Sequence, residues 1–276
     1  MSLRTLNALS ALCIAAGCNS SPEENGAPVE AESAALEATD GESAAEMPDV
    51  SLSGGCTPQL PDGAQADAID MTLHLINGVN QSEISGVTAT LCGATDLACE
   101  APLAAFGTSD ASGKIAITVD STVDLVLSLT SEAILPTLVQ LPREGYLGAD
   151  GTTLEVPLIA QSSTTLLGIA TGQSYDGQKS IYVGDIKRCG DATPSGLEVT
   201  FLAEGEANRE TFYFQNGLPR ASATETDASG RWLVMNAPPS GGTVSVGEPP
   251  GDLTATIVGQ PGWVTLLSLD ERIHVP

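Results

Sequence analysis

The chain has 276 residues and carries 35 acidic side chains against ten Lys and Arg, which gives a formal net charge of −25 at neutral pH. A protein this acidic is repelled by nucleic acid and by anionic lipid surfaces, and its few basic residues form no cluster. The composition therefore argues against a nucleic-acid partner. The length leaves room for two domains of about 110 residues each after an N-terminal segment.

Residues 1–17 have the pattern of a secretory signal peptide. Arg4 gives a positive start, and the apolar stretch from Leu6 to Ala16 is too short to span a bilayer. The run Ile14-Ala15-Ala16-Gly17-Cys18 resembles the lipobox of bacterial lipoproteins, although Ala15 stands where Leu is commonest. This resemblance implies cleavage before Cys18 and acylation of its thiol. The alternative interpretation is an ordinary secretory signal followed by a chance cysteine.

A lipidated Cys18 would place the protein in the bacterial cell envelope. Bacterial lipoproteins carry several acyl chains on this cysteine, and two or more chains are enough for a stable membrane anchor. The membrane is then a partner through the N-terminal lipid anchor. Asn19 stands where an Asp retains some lipoproteins of this family at the inner membrane. We therefore expect the outer membrane, on its periplasmic or cell-surface side.

Residues 18–55 are predicted to combine the lipidated cysteine with a disordered acidic tether. From residue 19 to residue 55 there are nine acidic residues and no Lys, Arg or aromatic residue. Such a segment buries too little apolar surface to offset its ordering entropy, and repulsion between its charges extends it. The tether would hold a folded body away from the lipid headgroups.

Four further cysteines remain in the exported chain, namely Cys56, Cys92, Cys99 and Cys189. An even number in an exported protein predicts two disulfides, for which three pairings can be drawn. Cys92 and Cys99 enclose a segment with the composition of a turn between strands, so a local bridge is our first choice. That choice leaves Cys56 with Cys189. A zinc site is disfavoured because the chain has no CxxC motif.

The body from residue 56 onward is predicted to be all-β, with two consecutive β-sandwich domains at 56–160 and 178–276. Apolar residues alternate with polar ones over short runs that are separated by Gly, Pro, Asp and Ser. The linker, 161–177, is expected to contain a short helix near 161–171. The alternating runs include 69–75, 87–91, 115–119, 123–129, 154–158, 197–201, 232–234 and 244–246.

An internal repeat supports two domains. The segment 85–91 aligns with 195–201, and 110–114 aligns with 227–231, with seven more residues between the two landmarks in the second copy. In the second landmark, Asp-Ala-Ser-Gly, the Asp caps a turn and the Gly takes a left-handed φ. A hairpin tip is the favoured interpretation, since a calcium loop needs more carboxylates at alternate positions.

The segment 222–232, with its Thr, Asp, Gly and Trp spacing, resembles the signature of carboxypeptidase-regulatory-like domains. The segment 236–241, Asn-Ala-Pro-Pro-Ser-Gly, resembles the turn that follows that signature, and 108–113 keeps part of it in the first copy. The resemblance implies a transthyretin-like (Ig-like) β-sandwich fold. The segment 134–139 and the Cys92 and Cys99 pair resemble the version found in lipoproteins of myxobacteria-like bacteria.

We assign no catalytic residue, no cofactor and no metal ligand. The chain has two histidines, His74 and His274, and lacks the His-x-x-Glu pair of the zinc peptidases that carry this sandwich. Tyr213 and Trp263 are the candidates for a ligand surface, provided that both are exposed and close together. We therefore expect a non-catalytic envelope lipoprotein whose sandwich domains have structural or interaction roles. The alternative is a carbohydrate- or peptide-binding surface lipoprotein with a glycan or protein partner, and a hydrolase ranks third.

Overall fold

The computed structural model of the chain describes residues 68–120, 123–141, 153–188, 194–203, 209–247 and 253–270. The signal peptide, Cys18, the acidic tether, Cys56, Cys189 and His274 lie outside the described residues. All of the described residues belong to one compact unit, Val50–Pro276.

Strands dominate the described part of the chain, as the alternating pattern predicts. The strands are β1 (Ala68–Asn77), β2 (Thr88–Gly93), β3 (Ala104–Thr108), β4 (Lys114–Asp120), β5 (Leu125–Thr130), β6 (Thr137–Leu141), β7 (Thr153–Leu158), β8 (Ser180–Lys187), β9 (Val199–Ala203), β10 (Thr211–Gln215), β11 (Leu218–Arg220), β12 (Trp232–Ala237), β13 (Gly242–Val246), β14 (Leu253–Ile257) and β15 (Val264–Asp270). A turn of 3-10 helix (Gln161–Ser163) leads into the helix α1 (Thr164–Thr171), which confirms the predicted short helix.

Strands β1–β7 form the first sandwich. Its smaller sheet has the order β4-β1-β7, and the opposing strands have the order β6-β5-β2-β3. The core between them is aliphatic and includes Leu73 and Leu75 from β1 with Leu127 and Leu129 from β5, none of which is exposed. The inward-facing residues of β1 and β4 alternate with exposed or half-buried ones, as expected for a sheet with one buried face.

Strands β8–β15 form the second sandwich. Its larger part has the order β11-β10-β12-β8-β15, and the facing sheet has the order β14-β13-β9. The core of the second sandwich contains larger side chains than the core of the first, with Trp232, Tyr182 and Phe201 fully buried. The rings of Tyr182 and Phe201 lie with their centroids 5.3 Å apart in a tilted arrangement. The predicted pair of consecutive β-sandwiches is confirmed.

The two sandwiches repeat the same strand pairing. β1 pairs antiparallel with β4 and parallel with β7, and β8 pairs in the same way with β12 and β15. β2 pairs with β5, which pairs with β6, and β9, β13 and β14 reproduce that meander. The hairpin β10–β11 has no counterpart in the first copy and occupies the longer interval that the repeat alignment shows.

A parallel pairing of β6 with β15 joins the sandwiches into one nine-stranded sheet. Three residues of each strand take part, Thr137–Val139 with Val264–Leu266. The amide of Val264 also donates to the carbonyl of Pro136 at 2.9 Å. We call this junction the seam. The seam joins residues that lie more than 120 positions apart in the sequence, so no local sequence pattern predicts it.

The helix α1 covers the outer face of the second sandwich. Leu167 is buried in the same apolar cluster as Phe212, Phe214, Leu233 and Met235, which project from β10 and β12 away from the second core. The hydroxyl of Thr171 donates to the carbonyl of Leu167 at 2.8 Å and lies 3.1 Å from the sulfur of Met235. The helix therefore extends the first core across the junction.

Candidate functional site

A cleft lined by residues of both sandwiches lies at the seam. The pairing of β6 with β15 ends at Val139 and Leu266, and the next residues, Gln140 and Leu267, both line a cavity of about 240 Å³. Beyond that point β15 goes on pairing with β8, while β6 ends at Leu141. The remaining lining residues come from both sandwiches: Ala94, Asp124, Leu125, Val126, Leu141, Ala255 and Thr256.

The polar side chains that line this seam cleft are an amide, a carboxyl group and a hydroxyl group, from Gln140, Asp124 and Thr256. The Oε1 atom of Gln140 is buried and has no hydrogen-bond partner. The carboxyl group of Asp124 and the hydroxyl group of Thr256 belong to exposed residues at the same cleft. No Lys or Arg lies among the described residues that line it. Sequence reasoning missed this site, because Gln140 is a lone polar residue in an apolar run and belongs to no motif.

The predicted ligand surface of Tyr213 and Trp263 is not formed. Tyr213 is only 3% exposed, because its side of β10 packs into the second core under the facing sheet. Its hydroxyl accepts a hydrogen bond from the amide of Val199 at 2.8 Å and lies 3.3 Å from the carbonyl of the same residue. Burial raises the pKa of the Tyr213 hydroxyl above its usual value.

Trp263 is half-buried and lies elsewhere in the sheet. It directly precedes β15, and its carbonyl accepts from the amide of Ile181 at 3.0 Å. In the sheet order two strands separate β10 from β15, which corresponds to about 14 Å at the usual strand spacing. The two aromatic side chains therefore do not make a common platform.

In each sandwich, a hydroxyl from the repeated sequence motif makes two hydrogen bonds that fix the backbone of another segment. In the first copy the hydroxyl of Ser109 accepts from the amide of Val87 at 3.0 Å and donates to the carbonyl of Ile84 at 2.9 Å. In the second copy the hydroxyl of Thr226 accepts from the amide of Leu197 at 3.0 Å and donates to the carbonyl of Pro194. Both hydroxyls are buried and used for backbone contacts, so the repeat motif encodes a fold element rather than a site.

The Asp-x-Ser-Gly turns are held by their own carboxylates. Oδ1 of Asp110 accepts from the amides of Ser112 and Lys114, each at 2.9 Å. These hydrogen bonds lower the pKa of Asp110 below its usual value, and the bond from the Lys114 amide has the largest effect. The turn chemistry is as predicted, but the hairpin interpretation is wrong, since β3 and β4, which flank Asp110, lie in different sheets.

The cysteines and histidines contribute no described site. The predicted Cys92–Cys99 disulfide is confirmed, with 5.5 Å between the Cα atoms, and it closes the loop from β2 to β3. Oδ1 and Oδ2 of Asp96 accept from the amides of Glu100 and Ala101 and order the same loop. His74 is half-buried on the face of β1 away from the core. Among the described residues no group of three His, Cys, Asp or Glu could hold a metal ion.

Within the same described ranges, no helix is long and apolar enough to cross a membrane.

Comparison with known proteins adds no family assignment. No protein-family model and no curated protein match the chain. Among solved structures, the TIE protein of Bacillus anthracis has 6% identity and a TM-score of 0.24, with 74% of this chain and 34% of that chain covered. A streptococcal ancillary pilin has 14% identity and a TM-score of 0.24, covering 75% of this chain and 63% of that one.

A shaft pilin from Lactobacillus rhamnosus GG has 10% identity and a TM-score of 0.23, with 74% of this chain and 97% of that chain covered. The chain thus spans about a third of the Bacillus protein and less than two thirds of the streptococcal one. These likenesses are too distant to carry an argument about function. The fold assignment rests on the strand pairing and the two cores described above.

Proposed function

We propose that the protein is a non-catalytic envelope lipoprotein that presents two joined β-sandwiches for a structural or interaction role. The observation that carries the proposal is the duplicated sandwich fused through one sheet, which follows an acidic N-terminal segment and a lipobox-like cysteine in the sequence. A body of this kind is a spacer and display unit, because the seam orients both lobes together. A resemblance to carboxypeptidase-regulatory-like domains supports the same assignment.

The use of polar side chains supports a non-catalytic role. Ser109, Thr226 and Asp110 are committed to backbone hydrogen bonds within turns, and the hydroxyl of Tyr182 donates to the carbonyl of Pro238 at 2.7 Å. A nucleophile or a general base requires a neighbouring partner of suitable pKa in an accessible cleft. The polar side chains that line the seam cleft are an amide, a carboxyl group and a hydroxyl group, and its described lining residues include no histidine or lysine.

Membrane fractionation with mass spectrometry tests the anchor. The wild-type protein extracted from membranes should show an acylated Cys18 at its mature N-terminus, and the Cys18→Ser variant should lose that modification and stay unprocessed or leave the membrane fraction. Cys13→Ser is the matched control, because Cys13 lies within the signal peptide and should not affect acylation. A wild-type protein recovered free of membranes with an unmodified Cys18 would overturn the proposal.

A peptide-binding role is the second candidate, and the seam cleft favours it over a carbohydrate-binding role. Sugar rings are held largely by stacking on exposed aromatic faces, and the two aromatic residues expected to supply such a face do not come together. The seam cleft contains no aromatic side chain among its described lining residues. Its volume lies below the range of about 300 to 1,000 Å³ that is common for small-molecule pockets, which suits a single side chain.

A further inference from the structure

We propose that the open edge of β3 binds an extended segment of a partner protein by strand addition, and that this segment is uncharged at its centre and basic at its ends. The inference rests on the interaction role in the proposed function but not on the lipid anchor. β3 is the last strand of the nine-stranded sheet, and no described strand pairs with its outer side. We call residues 103–108 the β3 edge.

The backbone of the β3 edge has groups that are free to pair. Alternate N–H and C=O groups of an edge strand point away from its neighbour, which is β2 here. Apart from the pairing with β2, residues 104–108 make no hydrogen bond with any other described segment. An extended segment that lies beside β3 can satisfy these groups, and such main-chain hydrogen bonds provide the affinity in strand addition.

The side chains of the β3 edge leave room for an added strand. Ala104 and Phe106 pack against the first core, while Ala105 is exposed on the other face. Leu103, which precedes the strand, is 62% exposed and offers an apolar contact to an incoming side chain. Gly107 is the extra residue of a bulge in the pairing with β2, so the regular part of the edge ends at Phe106.

The opposite end of the same sheet is unsuited to strand addition. β11 has three residues, and its central Pro219 has no amide proton to donate. The helix α1 lies beside β11, and the amide of Ala221 donates to the carbonyl of Ala170 in that helix. Strand addition to this sheet is therefore expected at β3.

Charge determines which segment fits the β3 edge. Residues 101–109 include no charged side chain, but Asp96 and Glu100 precede them and Asp110 follows them. Lys114 lies beyond the turn, on β4, in the other sheet. A basic residue at either end of an added segment would meet one of these carboxylates, and the net charge of −25 attracts the same segment over a longer range.

The same charges disfavour a second copy of this chain as the partner. Antiparallel pairing of two β3 strands about Ala105 would bring Glu100 of each copy near Asp110 of the other. Like charges that face each other across a strand pair destabilise it, and two chains that each carry −25 repel each other. The charge pattern therefore favours a different protein with a cationic extended segment.

The test is an NMR titration of the full-length protein with the capped peptide Lys-Ser-Thr-Val-Thr-Val-Thr-Val-Thr-Ser-Lys. We expect saturable shifts at the amides of residues 103–108 and slower hydrogen exchange at alternate amides of β3. Two control peptides, one with Glu in place of both Lys residues and one with Pro-Pro in place of the central Val-Thr, should each bind about tenfold more weakly. Shifts without slower exchange, or equal binding of the proline peptide, would contradict strand addition.

A matched pair of variants locates the binding on β3. Ala105→Lys puts a charge on the exposed side of the edge and should weaken binding of the peptide about tenfold. Ala116→Lys makes the same change at an exposed position of β4 and should bind like the wild type. A dispersed spectrum verifies that both variants are folded, and equal binding by the two variants would overturn the inference.

Sedimentation of the protein alone tests the competing partner. We expect a monomer, whereas a dimer that the Ala105→Lys substitution dissociates would show that the β3 edge pairs with a second copy, contrary to the proposal. Because neither measurement needs a membrane, a failure here is distinguishable from a failure of the lipoprotein assignment, which acylation of Cys18 decides.

Discussion

Gly113 and Gly230 are equivalent residues of the repeat, and each supports a close approach between a turn and the first strand of its sandwich, β1 or β8. Their φ angles are +70° and +64°, a region that favours glycine. A β-carbon at Gly113 would lie 2.5 Å from the carbonyl oxygen of Leu75, and one at Gly230 would lie 2.5 Å from that of Ile186. The amides of Leu75 and Ile186 donate to the carbonyls of these glycines, at 2.8 and 3.0 Å.

Alanine substitutions should separate backbone strain from steric overlap. Gly113→Ala and Gly230→Ala combine both and should each cost about 3 kcal/mol or more in the free energy of unfolding. Gly86→Ala has a φ of +73° but open space around its β-carbon, so it should cost about 1 to 2 kcal/mol. Gly93→Ala has neither problem and should stay within about 0.5 kcal/mol. Urea unfolding checks the order, and equal losses at Gly86 and Gly113 would contradict it.

Because of Tyr182, we expect the free energy of unfolding to decrease at alkaline pH. Burial raises its pKa from 10.0 to about 12 in the folded protein. The neutral phenol is therefore favoured by folding, so its contribution is fully present below pH 10 and is lost as the pH rises from about 10 to about 12. The loss should reach about 2 to 3 kcal/mol.

The Tyr182→Phe variant tests this assignment. It should be less stable than the wild type at neutral pH, because the carbonyl of Pro238 loses a donor, at a cost of about 1 kcal/mol. Between pH 10 and pH 12 its stability should fall less steeply than that of the wild type. If urea unfolding shows that the free energies of unfolding of the two proteins fall by the same amount between pH 10 and pH 12, another group causes the alkaline loss.

At the level of elements, α1 is amphipathic in a way that its short sequence does not reveal. Leu167 is 2% exposed and Ile169 is 76% exposed, although both are large aliphatic residues two positions apart. The difference follows from helical geometry, since residues two apart point in different directions and only the Leu167 side faces β10 and β12.

The matched pair Leu167→Ala and Ile169→Ala tests the docking of this helix. Leu167→Ala should lower the free energy of unfolding by about 2 to 4 kcal/mol, because it leaves a cavity in the cluster with Met235. Ile169→Ala should change it by about 0.5 kcal/mol or less. Thermal unfolding monitored by circular dichroism measures both. A similar loss for the two variants would mean that the helix contacts the body through another face.

Strand positions were predictable from the sequence, but strand partners were not. The alternation in β1, β2 and β4 predicts both the strand and its buried face. The same reasoning places Phe212 and Phe214 on one face of β10 and Tyr213 on the other. It could not show that the second face of β10 is covered as well, by the sheet β14-β13-β9. β5 shows the same effect, since Val126 and Ser128 are buried on the face opposite to Leu127 and Leu129.

At the level of the whole molecule, the seam is the feature that sequence reasoning missed. Two similar sandwiches could have remained separate domains on a linker, and the repeat alone is equally compatible with that arrangement. The parallel pairing of β6 with β15 depends on the relative position of two lobes, which no local residue pattern encodes. The seam cleft is formed by the seam, so its described lining residues belong to no common motif and come from five separate segments of the chain.

The shared sheet leads us to expect that both sandwiches unfold together. The chain has two tryptophans, Trp232 and Trp263, and both belong to the second sandwich. Tryptophan fluorescence thus reports the second lobe alone, while far-ultraviolet circular dichroism reports both. In the wild type the two urea transitions should coincide, because the first apolar cluster includes Ile181, Val183 and Leu233 from the second lobe.

The decisive variant lies in the first sandwich. Leu73→Ala removes a fully buried side chain from β1 and should cost about 2 to 4 kcal/mol. If the lobes are one cooperative unit, the fluorescence transition moves to lower urea by the same amount as the circular dichroism transition, although no tryptophan lies in the first lobe. If the fluorescence transition stays in place while circular dichroism becomes biphasic, the seam does not couple the lobes. The protein would then behave as two independent sandwiches on one chain, and the idea of a single oriented display unit would fail.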